Sequence, residues 1–77
     1  MNSKRRNEIN KLKDSLDEIK NKLEDLQNEE QEAFDAMPEG LQGSERGQAS
    51  EQAIDAIGGA ISGIEDAVSS LEEAAEQ

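Results

Sequence analysis

The groups in this 77-residue chain able to act as a base or to hold a cation are its carboxylates and lysines, because the sequence has no His and no Cys. That removes disulfide frameworks and Cys/His zinc sites. The acid pairs Glu29-Glu30, Glu65-Asp66 and Glu72-Glu73 would hold a divalent cation only weakly. None has the spacing of a calcium loop, which needs alternating oxygen donors around a central glycine. The segment Gly40 to Gly47 is glycine-rich but lacks the lysine of a phosphate-binding loop. The carboxylates are instead strung along helix faces, the ordinary place for solvated charge. No catalytic, metal or cofactor-binding residue is assigned, and the chain is expected not to be an enzyme.

Charge and composition narrow the partners. With 19 acidic and 8 basic residues the net charge is −11. Such a chain repels phosphate backbones and anionic membrane surfaces and suits a basic partner. One Phe, with no Tyr or Trp, leaves no stacking platform for single strands. Direct nucleic-acid binding and membrane association are therefore not expected. Gly59 and Gly63 match a GxxxG pattern, but Asp55, Glu65 and Asp66 beside them argue against a membrane helix. Polar and basic residues follow Met1 at once, with no apolar leader. The expected compartment is the cytoplasm. The charge is also uneven: residues 1–22 carry seven bases and four acids, residues 23–77 one base and fifteen acids. The basic end is expected to lie along the acidic second half, and the isolated Arg46 to pair with a nearby carboxylate.

The elements that carry these charges follow from apolar periodicity. In the second half, Ile54, Ile61 and Val68 repeat every seven residues, with Ile57, Ile64 and Leu71 between them. This is an a/d seam. Ala53, Ala60, Ala67 and Ala74 line the adjoining g position. In the first half Ile9, Leu16 and Leu23 occupy a, and Leu12, Ile19 and Leu26 occupy d; the register continues through Glu30 and Ala33. Met37-Pro38 must end the first helix, since proline breaks the hydrogen-bond ladder and disfavours helix before it. The expectation is an all-α antiparallel helical hairpin, coiled-coil-like. It has a flexible basic segment at 1–7, a helix over about 8–36, a connection at 37–44, and a helix over about 45–75. Ser44 and Ser50 are candidate caps for the second helix. Leu41 is the expected plug at the tip.

The register can be argued on paper. Pairing a and d residues whose numbers sum to 87 sets Leu16 against Leu71, Ile19 against Val68, Leu23 against Ile64 and Glu30 against Ile57. It also brings Lys13 opposite Glu72 and Lys20 opposite Glu65. Two helices cannot enclose a core, so self-association is expected, most simply a homodimer forming a four-helix bundle. The second helix adds small residues at c (Ala49, Ala56, Gly63) to the alanines at g. Glycine in a helix costs about 1 kcal/mol against alanine, and close approach by another backbone would account for it. Ala56, Gly59, Ala60, Gly63 and Ala67 are the predicted oligomer interface; a simple bend at Gly58-Gly59 is the alternative.

The segment Glu29-Glu-Gln-Glu-Ala-Phe-Asp35, with Pro38, Leu41-Gln42 and Ser44-Glu-Arg-Gly47, resembles small acidic helical proteins of phages and other mobile elements. The resemblance covers residues 29–57. It implies a phage or mobile-element setting and brings no established activity and no site residues with it. The expected function is that of a self-associating interaction protein. Its protein partner would meet the hairpin tip at Glu30, Phe34, Asp35, Glu39, Leu41 and Glu45. Phe34 and Leu41 are the apolar anchors; the alternative is that they only cap the bundle. Two other functions compete: an acidic DNA mimic that blocks a nucleic-acid-binding host protein, and a small-ligand binder at a subunit junction.

Overall fold

The computed structural model describes residues Met1 to Gln77. Helix α1 spans Ser3–Asp35, a single turn α2 spans Glu39–Gln42, and α3 spans Glu45–Glu76. There is no strand. Helix α1 starts five residues before the sequence-based boundary at Glu8, so most of the basic segment 1–7 is helical. The cause is a cap: the Asn2 side chain accepts from the Arg5 backbone N–H at 2.9 Å, using one of the donors that a helix start leaves free. Helix α1 ends three residues before Pro38. Ser44 caps α3, its hydroxyl accepting from the Gly47 N–H.

Helices α1 and α3 run antiparallel in a rod of 58 × 15 × 12 Å. The Arg6 side chain donates to the Ala75 carbonyl at 3.1 Å, Gln27 donates to the Ile54 carbonyl at 3.1 Å, and Ser50 donates to Glu30 at 2.7 Å. The residue numbers of these pairs add to 80 or 81, six to seven short of the expected 87 and so about one heptad displaced. Glu30 therefore lies by Ser50, not Ile57; the register expected for Leu16–Leu71 and Leu23–Ile64 moves about one heptad toward the start of α3, and Ile19, expected against Val68, stands outside the seam. Two physical facts select this register. The connection reverses around Gly40, midway between the end of α1 and the start of α3. A carboxylate set against isoleucine would also be desolvated without a partner, whereas here it meets a hydroxyl.

Helix α1 is also turned about its axis. Its more covered positions are Ile9, Lys13, Leu16, Lys20, Leu23, Gln27, Glu30 and Phe34, alternating a and e. On α3 the covered positions are the expected a and d residues, from Ser50 and Ile54 through Leu71. Turning e inward places Phe34, the bulkiest apolar side chain, against α3, and lets the stems of Lys13 and Lys20 lie over its seam. The d residues of α1 are left outside: Leu12 is 58% exposed, Ile19 48% and Leu26 52%. Ile61, at 8%, is the single buried hydrophobic residue, and no large side chain is fully enclosed.

Candidate interaction surfaces

The hairpin has two unlike long faces. On one, the e positions of both helices meet. Lys13 Nζ lies 3.4 Å from Glu72 Oε1, the pair expected from sequence and the single ion pair of the chain. It survives the shifted register because two long side chains span the offset diagonally. Lys20 and Glu65, expected to pair likewise, form no ion pair. Gln27 reaches across to the Ile54 carbonyl and passes close to Gly58, where an added Cβ would lie 3.1 Å from its amide nitrogen. Further along, Gln31, Phe34, Glu51, Ile54 and Asp55 line a shallow depression of about 120 Å³. Ligand pockets are typically ~300–1,000 Å³, so this one does not enclose a ligand.

On the other face the α1 d residues Leu12, Ile19 and Leu26 run beside the α3 g residues Ala67, Ala60 and Ala53. With 3.6 residues per turn, d lies about 80° to one side of the inward a/e direction of α1. In the antiparallel α3, g lies about 90° to the same side of its inward a/d direction. The register sets Leu12 nearly level with Ala67, Ile19 with Ala60 and Leu26 with Ala53, each within about 3 Å along the axis. All six are exposed. Of the predicted oligomer-interface residues, Ala60 and Ala67 lie on this face and Ala56 and Gly63 border it at c. Gly59 falls at f, on the outer side of α3. Nothing within the chain approaches a Cβ built at Gly59 or Gly63. The exposed leucine stripe was hidden in sequence because d residues of an a/d seam are normally the covered ones.

At the tip the close approach is made by Gly47. It is buried, and a Cβ there would collide with the Gln42 carbonyl oxygen and lie 2.6 Å from that of Leu41. Gln42 Nε2 in turn donates to the carbonyls of Phe34 and Met37, each at 3.3 Å. Backbone, not the Leu41 side chain, therefore closes the hairpin: Leu41 is 46% exposed and does not plug the tip as expected. Phe34 is half-buried and stands in the depression. Asp35, Glu39 and Glu45 are exposed around the turn, with Asp35 accepting from Gln31 at 3.0 Å. Glu30 departs from this group by turning inward to Ser50. Arg46 is exposed and has no carboxylate within ion-pair distance, contrary to expectation.

No three acidic side chains converge as a metal site would require. No helix is long and apolar enough to cross a membrane. By architecture the chain is an all-α hairpin of two long helices with heptad packing. Comparison with known protein families, with curated proteins and with solved structures finds no match to it.

Proposed function

We propose that the protein is a non-enzymatic acidic interaction module of phage or mobile-element type, acting in the cytoplasm. It self-associates, most simply as a homodimeric four-helix bundle, and binds a protein partner at the hairpin tip. One observation carries the reading: Leu12, Ile19 and Leu26 stand about half exposed at heptad spacing on a chain with almost no enclosed core. Heptad leucines are used by coiled coils to meet another helix, and burying them supplies what the isolated hairpin lacks. Near the turn Leu41 is exposed and Phe34 half-buried, and Asp35, Glu39 and Glu45 are exposed close by in sequence. Apolar anchors within a charged rim are the usual anatomy of a contact site.

The test is sedimentation across a concentration series, followed by capture with tip variants. A concentration-dependent dimer supports the reading; a cooperatively melting helical monomer at micromolar concentration overturns it. A protein retained by the parent and lost by a folded, dimeric Phe34→Ala or Leu41→Ser supports the tip as the partner site.

A second reading is favoured by the unneutralised charge along the rod. Only Glu72 has an ion-pair partner, so most of the 19 carboxylates face water. A DNA duplex as long as the 58 Å rod carries about 34 phosphate charges, at one per ~1.7 Å. A net charge of −11 is about a third of that, and a dimer brings it to about two thirds. The DNA-mimic function is therefore the weaker of the two. Partner binding that collapses between low and moderate salt, with no loss in Leu41→Ser, would favour it.

A further inference from the structure

We propose that the apolar face receives a second copy of the chain about a twofold axis parallel to the helices, so that Leu12, Ile19 and Leu26 of each copy lie over Ala67, Ala60 and Ala53 of the other. This deepens the self-association reading and rests on it.

Size is the first support. The face carries a stripe of large residues on α1 and a stripe of small ones on α3, both repeating every seven residues and matched in level. A surface holding its own complement is what an isologous dimer uses. An axis parallel to the helices leaves every level unchanged and exchanges left with right. Each large residue then meets a small one. An axis perpendicular to the helices within the interface sets α1 on α1 and α3 on α3. Leucines would then hold the faces apart while the alanines opposite stayed uncovered, losing the contacts that close packing gives.

Charge supports the same choice. Residues 3–22 of α1 carry seven bases and four acids, whereas residues 55–76 of α3 carry six acids and no base. The parallel axis lays the basic half of each α1 beside the acidic half of the other copy's α3. The perpendicular axis would stack α3 on α3, each with eight acids and one base over residues 45–76. Like charges so placed oppose association. Between the copies every neighbouring helix pair is then antiparallel, as in an up-down bundle.

Single-cysteine variants of the full chain test the arrangement without background, since the chain has no cysteine. Ile19→Cys and Ala60→Cys are both at exposed positions, and circular dichroism verifies their helicity. Mixed in equal amounts and oxidised, they are expected to give the disulfide-linked pair of unlike chains well above the half that random pairing yields. Leu12→Cys with Ala67→Cys is expected to behave in the same way. Abundant like-with-like product from Ile19→Cys alone would show α1 on α1 and overturn the proposed axis. A dimer by sedimentation that yields no disulfide in either mixture would overturn the face, leaving self-association standing. A monomer by sedimentation would remove the self-association reading itself.

Discussion

The Ser50 hydroxyl donates to Glu30 Oε1 at 2.7 Å, joining the two long helices through a carboxylate turned in from an a position. Ser50 is itself buried. Loss of a hydrogen bond to a charged acceptor that keeps some solvent is expected to cost about 1–2 kcal/mol, so Ser50→Ala should lower the urea midpoint accordingly. Replacing both partners by apolar groups leaves nothing unsatisfied. Glu30→Leu with Ser50→Ala is therefore expected to recover the parent's midpoint or exceed it, measured at one fixed protein concentration. A double variant weaker than Ser50→Ala alone would show that the pair does not couple in this way.

Glycine substitutions should divide sharply by position. At Gly47 a Cβ meets backbone that cannot move aside without opening the tip, so Gly47→Ala is expected to destabilise by about 1–3 kcal/mol, as overpacking does. At Gly59 the space is open, and Gly59→Ala is expected to stabilise by about 0.5–1 kcal/mol through helix propensity. Thermal melts of the two variants beside the parent read both signs directly.

If the leucine stripe is the association surface, the parent's melting temperature rises with protein concentration, as for any assembly that favours the folded state by mass action. Ile19→Gln combined with Leu26→Gln is expected to remove that dependence and lower the melting temperature at high concentration. Both residues are about half exposed, so the hairpin itself should lose little. Melting curves over a hundredfold concentration range make the comparison.

Lys13 and Glu72 form the single ion pair, with Glu72 largely in solvent. Lys13→Ala is expected to cost about 0.2–1 kcal/mol at low salt, and less as added salt screens the pair. A larger, salt-independent loss would mean that the Lys13 stem contributes mainly by covering the α3 seam.

Helix content, the break at Pro38 and the Ser44 cap could all be read from residue types, because proline and serine act locally. The α3 seam was equally plain. The register was not, and the reason is periodic: sliding one heptad helix past another by seven residues again brings a against d. Periodicity cannot tell 80 from 87. What decides is non-periodic: the Ser50 partner for Glu30 and the contact of Gly47 with the Gln42 carbonyl. Glu30 at an a position was the available signal, since a carboxylate there calls for a nearby hydroxyl. The turn of α1 toward e had a fainter trace, in Gln27 and Phe34 following Lys13 and Lys20 along one edge. Among tip residues, the exposure of Asp35, Glu39 and Glu45 followed from their types; the inward turn of Glu30 needed the register.

At the end away from the tip, the Met1 ammonium donates to the Gln77 carbonyl at 2.9 Å. Head and tail of these 77 residues thus share one pole of a 58 Å rod, and the turn stands at the other. A fluorophore, affinity handle or surface tether attached through either end is held nearly a rod's length from Leu41. The molecule can be immobilised by its base with the turn projecting, and energy transfer from a label at the base to one on a candidate partner becomes a ruler for whether the proposed capture occurs at the turn.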